Sequence, residues 1–190
     1  PESRGIPEGF QFLHIDTPTI QDGVSMGGAE MLPDREYLGL VGPGINFSNV
    51  VNTLDNKVGV KEEFAGWRVQ PPLTIPISTG AGAYRAVGRT VALAYLDQIR
   101  HGIRSVLDRT SSTSSITELT ELWRLVHNEN PTGQSGDPIV VVVSSLAGGT
   151  GAGLLMDVFD TLRALESWGD HSFGILYTPE VFASIGGMMM

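Results

Sequence analysis

Glycines at positions 148, 149, 151 and 153, with Thr150 and Ala152 between them, follow an apolar β-branched run and precede an amphipathic stretch. That order predicts a strand, a glycine loop and a helix start. Residues without Cβ let a ligand reach the main chain, and the first turn of a helix leaves N–H groups unpaired beside a partial positive charge. The chemistry served is anion binding, phosphate above all. Thr150 adds a hydroxyl inside the loop; a tight structural turn is the other use of such glycines. A P-loop fails because no lysine follows the glycines; the chain has only Lys57 and Lys61. The dinucleotide fingerprint Gly-x-Gly-x-x-Gly fails too, since Leu154 and Met156 stand where its third glycine belongs.

The remaining chemistry-bearing residues form no comparable pattern. His14, His101, His127 and His171 share no metal-ligand spacing, and Ser144 and Ser145 lack the Gly-x-Ser-x-Gly of a nucleophile elbow. Asp157 and Asp160 read as the solvated side of a helix, and Trp67, Trp123 and Trp168 as packing against the sheet or its edge.

The positioning elements follow from periodicity. Phe10–Asp16 reads as a strand, Thr17–Gly44 as loop, Val50–Val58 as a helix and Leu73–Ser78 as a second strand. Val91, Tyr95, Ile99, Ile103 and Val106 predict one amphipathic helix over Val87–Arg109. A polar break at Thr110–Ser115 precedes a shorter helix, Ile116–His127, so that 110–138 reads as a polar linker and short helix inserted before the phosphate-loop strand. Ile139–Ser144 has no polar alternation and predicts a strand buried on both faces; Leu154–Trp168 reads as helix and Ser172–Tyr177 as strand. Strand, glycine loop, helix and strand make a βαβ unit, hence an α/β protein with a parallel sheet flanked by helices.

Composition narrows the partners. Glycine makes up 24 of 190 residues without a Gly-X-Y period, which excludes collagen. The absence of cysteine excludes disulfide scaffolds, zinc–thiolate sites and thiol nucleophiles. A net charge of -9, from 21 acidic and 12 basic residues, argues against nucleic acid or an anionic membrane as partner. No apolar run approaches the roughly 20 residues of a membrane span. The chain starts Pro-Glu-Ser-Arg-Gly, which is no signal peptide, so a cytoplasmic protein cut at both ends is expected.

Gly148-Gly149-Thr150-Gly151-Ala152-Gly153 resembles the Gly-Gly-Thr-Gly-Ser/Thr-Gly phosphate loop of the tubulin/FtsZ family of GTP-binding proteins, departing at Ala152; Ala147 stands where FtsZ often has a further glycine. Gly80-Ala81-Gly82-Ala83-Tyr84-Arg85-Ala86-Val87-Gly88-Arg89 resembles the family's second phosphate-facing loop, with Ala83 and Tyr84 in place of asparagines. Ile15-Asp16-Thr17-Pro18-Thr19-Ile20-Gln21-Asp22 resembles a third loop of tubulin, one residue shorter and without its glutamate. The three lie in family order, and the pattern is closest to the divergent bacterial tubulin-like proteins.

The resemblance implies a Rossmann-like nucleotide-binding domain that is incomplete at both ends. A first strand with its own glycine loop should precede Phe10; a guanine-contacting helix and an acidic loop that completes hydrolysis from a neighbouring subunit should follow Tyr177. It implies GTP or GDP on Ala147–Gly153, Gly80–Ala83, Asp16 and Thr17, with Asp16 beside Mg²⁺ or simply capping its strand, and self-assembly into a homo-oligomer or filament. Arg85 and Arg89 are either neutralisers of phosphate charge or, Arg89 above all, solvated arginines at a helix start, and Glu180 falls near the ribose-contacting loop. The departures at Ala152, Ala83 and the missing glutamate keep open a degenerate tubulin-like scaffold that does not use nucleotide, and GTPase activity is left undecided.

Overall fold

The computed structural model describes residues 5–21, 31–56, 77–132, 138–165 and 167–182. Two parallel strand pairs are present, flanked by helices. Strand β1 (His14–Pro18) pairs with β2 (Tyr37–Val41), with His14 opposite Tyr37 and Pro18 opposite Val41. Strand β3 (Val141–Ser145) pairs with β4 (Phe173–Tyr177), with Val141 opposite Phe173. Strand β2 falls within the stretch expected as loop. Its glycine is a close-approach residue: a Cβ on Gly39 would strike the backbone of Pro18 and Thr19 at the end of β1. Of the strand expected over Leu73–Ser78, residues 73–76 lie outside the described residues, as do Trp67 and Met188–Met190, and its last two residues fall in a short 3-10 turn, Ile77–Thr79.

Helix α1 (Phe47–Asp55) starts at a capping box, in which Asn46 and Asn49 each accept the other's backbone N–H at 3.0 Å. Phe47, Val50, Val51 and Leu54 are its buried side. The long helix expected over Val87–Arg109 is two helices, α2 (Arg85–Ala94) and α3 (Leu96–Thr110), broken at Tyr95. Periodicity could not reveal the break, because Val91, Ile99 and Ile103 are buried and Tyr95 packs on the same core. Helix α4 (Thr113–His127) begins three residues before the expected Ile116, where Ser112 Oγ accepts the Ser115 N–H at 3.2 Å.

Helix α5 (Gly149–Ala164) connects β3 to β4, giving the parallel βαβ unit that the sequence predicts. Helices α2 and α5 pack against each other around Val87, Val91, Leu154 and Leu162. The expectation that β3 is buried on both faces is overturned. Alternation along the pair puts Val141, Val143, Phe173 and Ile175 on one face, and all four are exposed at 42% or more. Only the opposite face, with Val140 and Val142, reaches the core, and Phe159 of α5 lies against Gly174 there. Trp168 meets Phe159 edge-on at 5.0 Å beside this core, whereas Trp123 lies exposed on α4, its ring tilted 30° against that of His127 at 4.0 Å.

Candidate functional site

Helix α5 starts earlier than the sequence suggests, so Gly149, Gly151 and Gly153 are its first turns rather than a loop before it. Gly148 is the N-cap, in extended backbone, and offers no side-chain cap. The first N–H groups of the helix therefore need partners from outside it. Gly149 donates its N–H to the Gly82 carbonyl at 2.6 Å, and Ala147 donates to Ser145 Oγ at 3.0 Å. Among the first-turn donors, Thr150 and Gly151 have no intrahelical acceptor by position. A Cβ at Gly148 would meet nothing within 4 Å, so the space beside the cap is open.

The segment Gly80-Ala81-Gly82 lies directly against this start. Gly80 and Gly82 have φ of 122° and 55°, a backbone that residues with a Cβ rarely adopt, which explains two glycines flanking a buried Ala81. A Cβ on Gly149 would lie 2.6 Å from both the Ala81 and Gly82 carbonyl oxygens. Ala83 and Tyr84 are exposed, and Tyr84 at the N-cap of α2 supplies no side-chain cap either. Two uncapped helix starts thus meet; elsewhere in the fold α1 and α4 are capped by side chains, and α3, starting at Tyr95, is not. Convergent uncapped helix starts concentrate positive potential and N–H donors, the electrostatics an anion requires.

The end of β1 joins them through one side chain. Thr17, fully buried, places its hydroxyl 2.9 Å from the Thr150 hydroxyl. Asp16 points the other way, as alternation along a strand demands. Its Oδ1 accepts the Thr17 N–H at 2.7 Å and its Oδ2 lies 3.8 Å from His14 Nε2, with His14 stacked on Tyr37. Thr17 rather than Asp16 therefore faces the glycine segment. No group of three or more acidic or histidine side chains suited to a metal ion occurs among the described residues.

Arg85 Nη2 donates to the Leu146 carbonyl at 2.7 Å, just ahead of the glycines. Arg89, one turn on, is turned away toward Asp157, with Nη2 at 3.7 Å from Oδ1. Asp157 corrects the expectation of a solvated residue: its side chain is 7% exposed, whereas Asp160 is exposed and pairs with Arg163. Desolvation pushes the Asp157 carboxyl above its ordinary range, and the Arg89 guanidinium opposes this in part. Glu180, just past β4, is exposed and takes a hydrogen bond from the Thr178 side chain that lowers its pKa. The ends of β1, β3 and β4 and the Gly80–Gly82 turn supply these groups, and loops after the carboxyl ends of strands are where α/β sheets bind ligands.

Two residues for which the sequence suggests no site role contribute to the contact between α2 and α5. Gly88 packs so closely on α5 that a Cβ would strike the Gly149 carbonyl oxygen, and Asp157 is buried in the same helix contact. The signal was present as spacing: Gly149, Gly153 and Asp157 recur every four residues and share one helix face. A family model described as "Tubulin like" matches residues 2–188. Neither curated proteins nor solved structures gave a match. With parallel strands flanked by helices and a match that spans nearly its whole length, the chain belongs to the tubulin-like family.

Proposed function

We propose that this protein binds GTP or GDP where the starts of α2 and α5 meet, and that the bound nucleotide controls self-assembly into filaments in the cytoplasm. The observation that carries this reading is the junction of two uncapped helix starts, tied by the Gly149 N–H to the Gly82 carbonyl. Gly148–Gly153 would present N–H donors to phosphate oxygens, and the positive-φ turn of Gly80–Gly82 would let the second loop lie close to them. Ala147 and Ala83 would border the phosphates. Arg85, exposed beside the loop, would offset their charge.

Mg²⁺ would supply a hard positive charge that offsets the phosphates' negative charge. The hydroxyls of Thr150 and Thr17 are the side-chain oxygens on the glycine side that would help hold such an ion, with Asp16 adjoining them on β1. Hydrolysis would be completed by a second subunit in the polymer. Equilibrium displacement of fluorescent GTP tests the reading: competition by unlabelled GTP at micromolar levels supports it, and no displacement sinks it.

Two observations favour a second reading, a tubulin-like scaffold that assembles without nucleotide. The Gly149 N–H, a donor a phosphate would want, is already taken by Gly82, and Ala152 lacks a hydroxyl. Assembly seen by sedimentation, unchanged by GTP and by Thr150→Arg, would decide for the scaffold.

A further inference from the structure

Near their starts, α2 and α5 meet main chain against main chain at Gly88, Gly149 and Gly153, while Val87, Val91, Leu154 and Leu162 pack between them further along. A Cβ on Gly153 would lie 2.7 Å from the Arg85 oxygen and the Arg89 nitrogen, and one on Gly149 would lie 2.6 Å from the Ala81 and Gly82 oxygens. Helix pairs ordinarily fix their register by setting side-chain ridges into grooves. A glycine seam has no ridge there, so it permits close approach while offering little resistance to sliding or rotation. Register matters at this seam, because a slip would part the Gly82 carbonyl from the Gly149 N–H, 2.6 Å away. Another group has to hold it.

Arg89 stands one residue after Gly88, and Asp157 one turn after Gly153, facing each other in the seam at 3.7 Å. Asp157 Oδ2 is buried and accepts no hydrogen bond. A buried carboxylate so incompletely satisfied is a poor source of stability. An apolar pair of similar volume commonly serves stability as well or better, and fixing register is the best-attested use of such groups. We propose that Arg89 and Asp157 are a positioning pair that sets the register of α2 on α5, and with it the spacing of the Gly80–Gly82 and Gly148–Gly153 segments. Arg85, bonded to the Leu146 carbonyl, tethers the same two helices nearer the loops.

The test uses the whole chain, Asp157→Asn, and the apolar double variant Arg89→Met with Asp157→Leu. Amide hydrogen exchange at Gly149 reads the register directly, with Val142 and Val143 of β3 as internal references. The expected result is exchange at Gly149 faster by about tenfold or more in both variants, with β3 unchanged and the double variant at least as stable as wild type. Wild-type protection of Gly149 in the double variant would overturn the proposal, because packing alone would then suffice. Failure of the double variant to fold would overturn it as well, since the pair would then carry stability rather than register. A second arm, GTP displacement, rests on the nucleotide reading: affinity should fall about tenfold in both variants. Absence of GTP binding by wild type would refute that reading, while Gly149 exchange still decides the positioning role.

Discussion

Adding one methyl group at Gly153 and one at Gly102 separates a main-chain crossing from an ordinary packed helix. Both glycines are helical, and the new Cβ would lie at nearly the same distance from its nearest neighbour, 2.7 Å at Gly153 and 2.8 Å at Gly102. Each falls about 0.6–0.7 Å short of the 3.4 Å at which ordinary contact begins. The difference is what must move. At Gly153 the neighbours are backbone atoms of Arg85, Gly88 and Arg89; at Gly102 the nearest is the Leu38 Cδ2 methyl, the end of a side chain that can rotate. Both substitutions gain about 1 kcal/mol of helix propensity. Overpacking against a rigid partner costs about 1–3 kcal/mol. Parting the helices also stretches the Gly149–Gly82 hydrogen bond, worth about 1 kcal/mol net.

Gly153→Ala is therefore expected to lose about 2 kcal/mol, lowering Tm by about 4–8 °C for a chain of this size. Gly102→Ala is expected to stay level or gain up to about 1 kcal/mol. Urea unfolding followed by far-UV circular dichroism reads both. A Gly153→Ala protein as stable as Gly102→Ala would refute a rigid backbone contact between α2 and α5.

Three further substitutions probe the neighbourhood. Gly148→Ser supplies the missing N-cap of α5, so stability should rise by a few tenths of a kcal/mol while GTP affinity falls; a rise in both, measured by thermal unfolding and displacement, would contradict the anion role of that helix start. Thr17→Val removes a buried hydroxyl from its 2.9 Å partner on Thr150 and should cost about 1 kcal/mol in urea unfolding; no loss would mean the contact contributes nothing. For Asp157→Asn the informative quantity is the difference from wild type across pH. The folded carboxyl, raised by desolvation, binds its proton before the unfolded chain does, so the folded state gains relative stability as pH falls. The wild type should therefore gain on Asp157→Asn on acidification from the raised pKa toward the ordinary carboxyl value of about 4, and lose that gain as pH rises again. A flat difference would show that the folded carboxyl's pKa is not raised.

Local pattern carried the elements whose residues announce themselves. The β-branched run of β3, the amphipathic face of α5 and the apolar spacing of α1 are local signals, and all three elements form, with α1 starting three and α5 five residues ahead of the expected positions. Boundaries drifted where a cap decides them, as at Ser112 before α4. Strand β2 was missed because Tyr37-Leu38-Gly39-Leu40-Val41 carries a glycine that weakens the strand signal, yet that glycine exists to admit the end of β1. Burial of β3 was overestimated because an apolar run shows that a strand can be covered, not that both faces are.

For the site, the sequence by itself determined which backbone is bare of side chains, the order of the three loops and the family to which they point. Glycine spacing is a local property, and it survives in one dimension. Only the tertiary structure decided which of those groups meet: that Thr17 rather than Asp16 faces Thr150, that Gly82 takes the Gly149 N–H, and that Asp157 is buried against Arg89. The physical reason is that facing is set by the strand's alternation and the helices' packing together. A carboxylate on a helix reads as solvated until another helix, close enough only because both carry glycine, covers it.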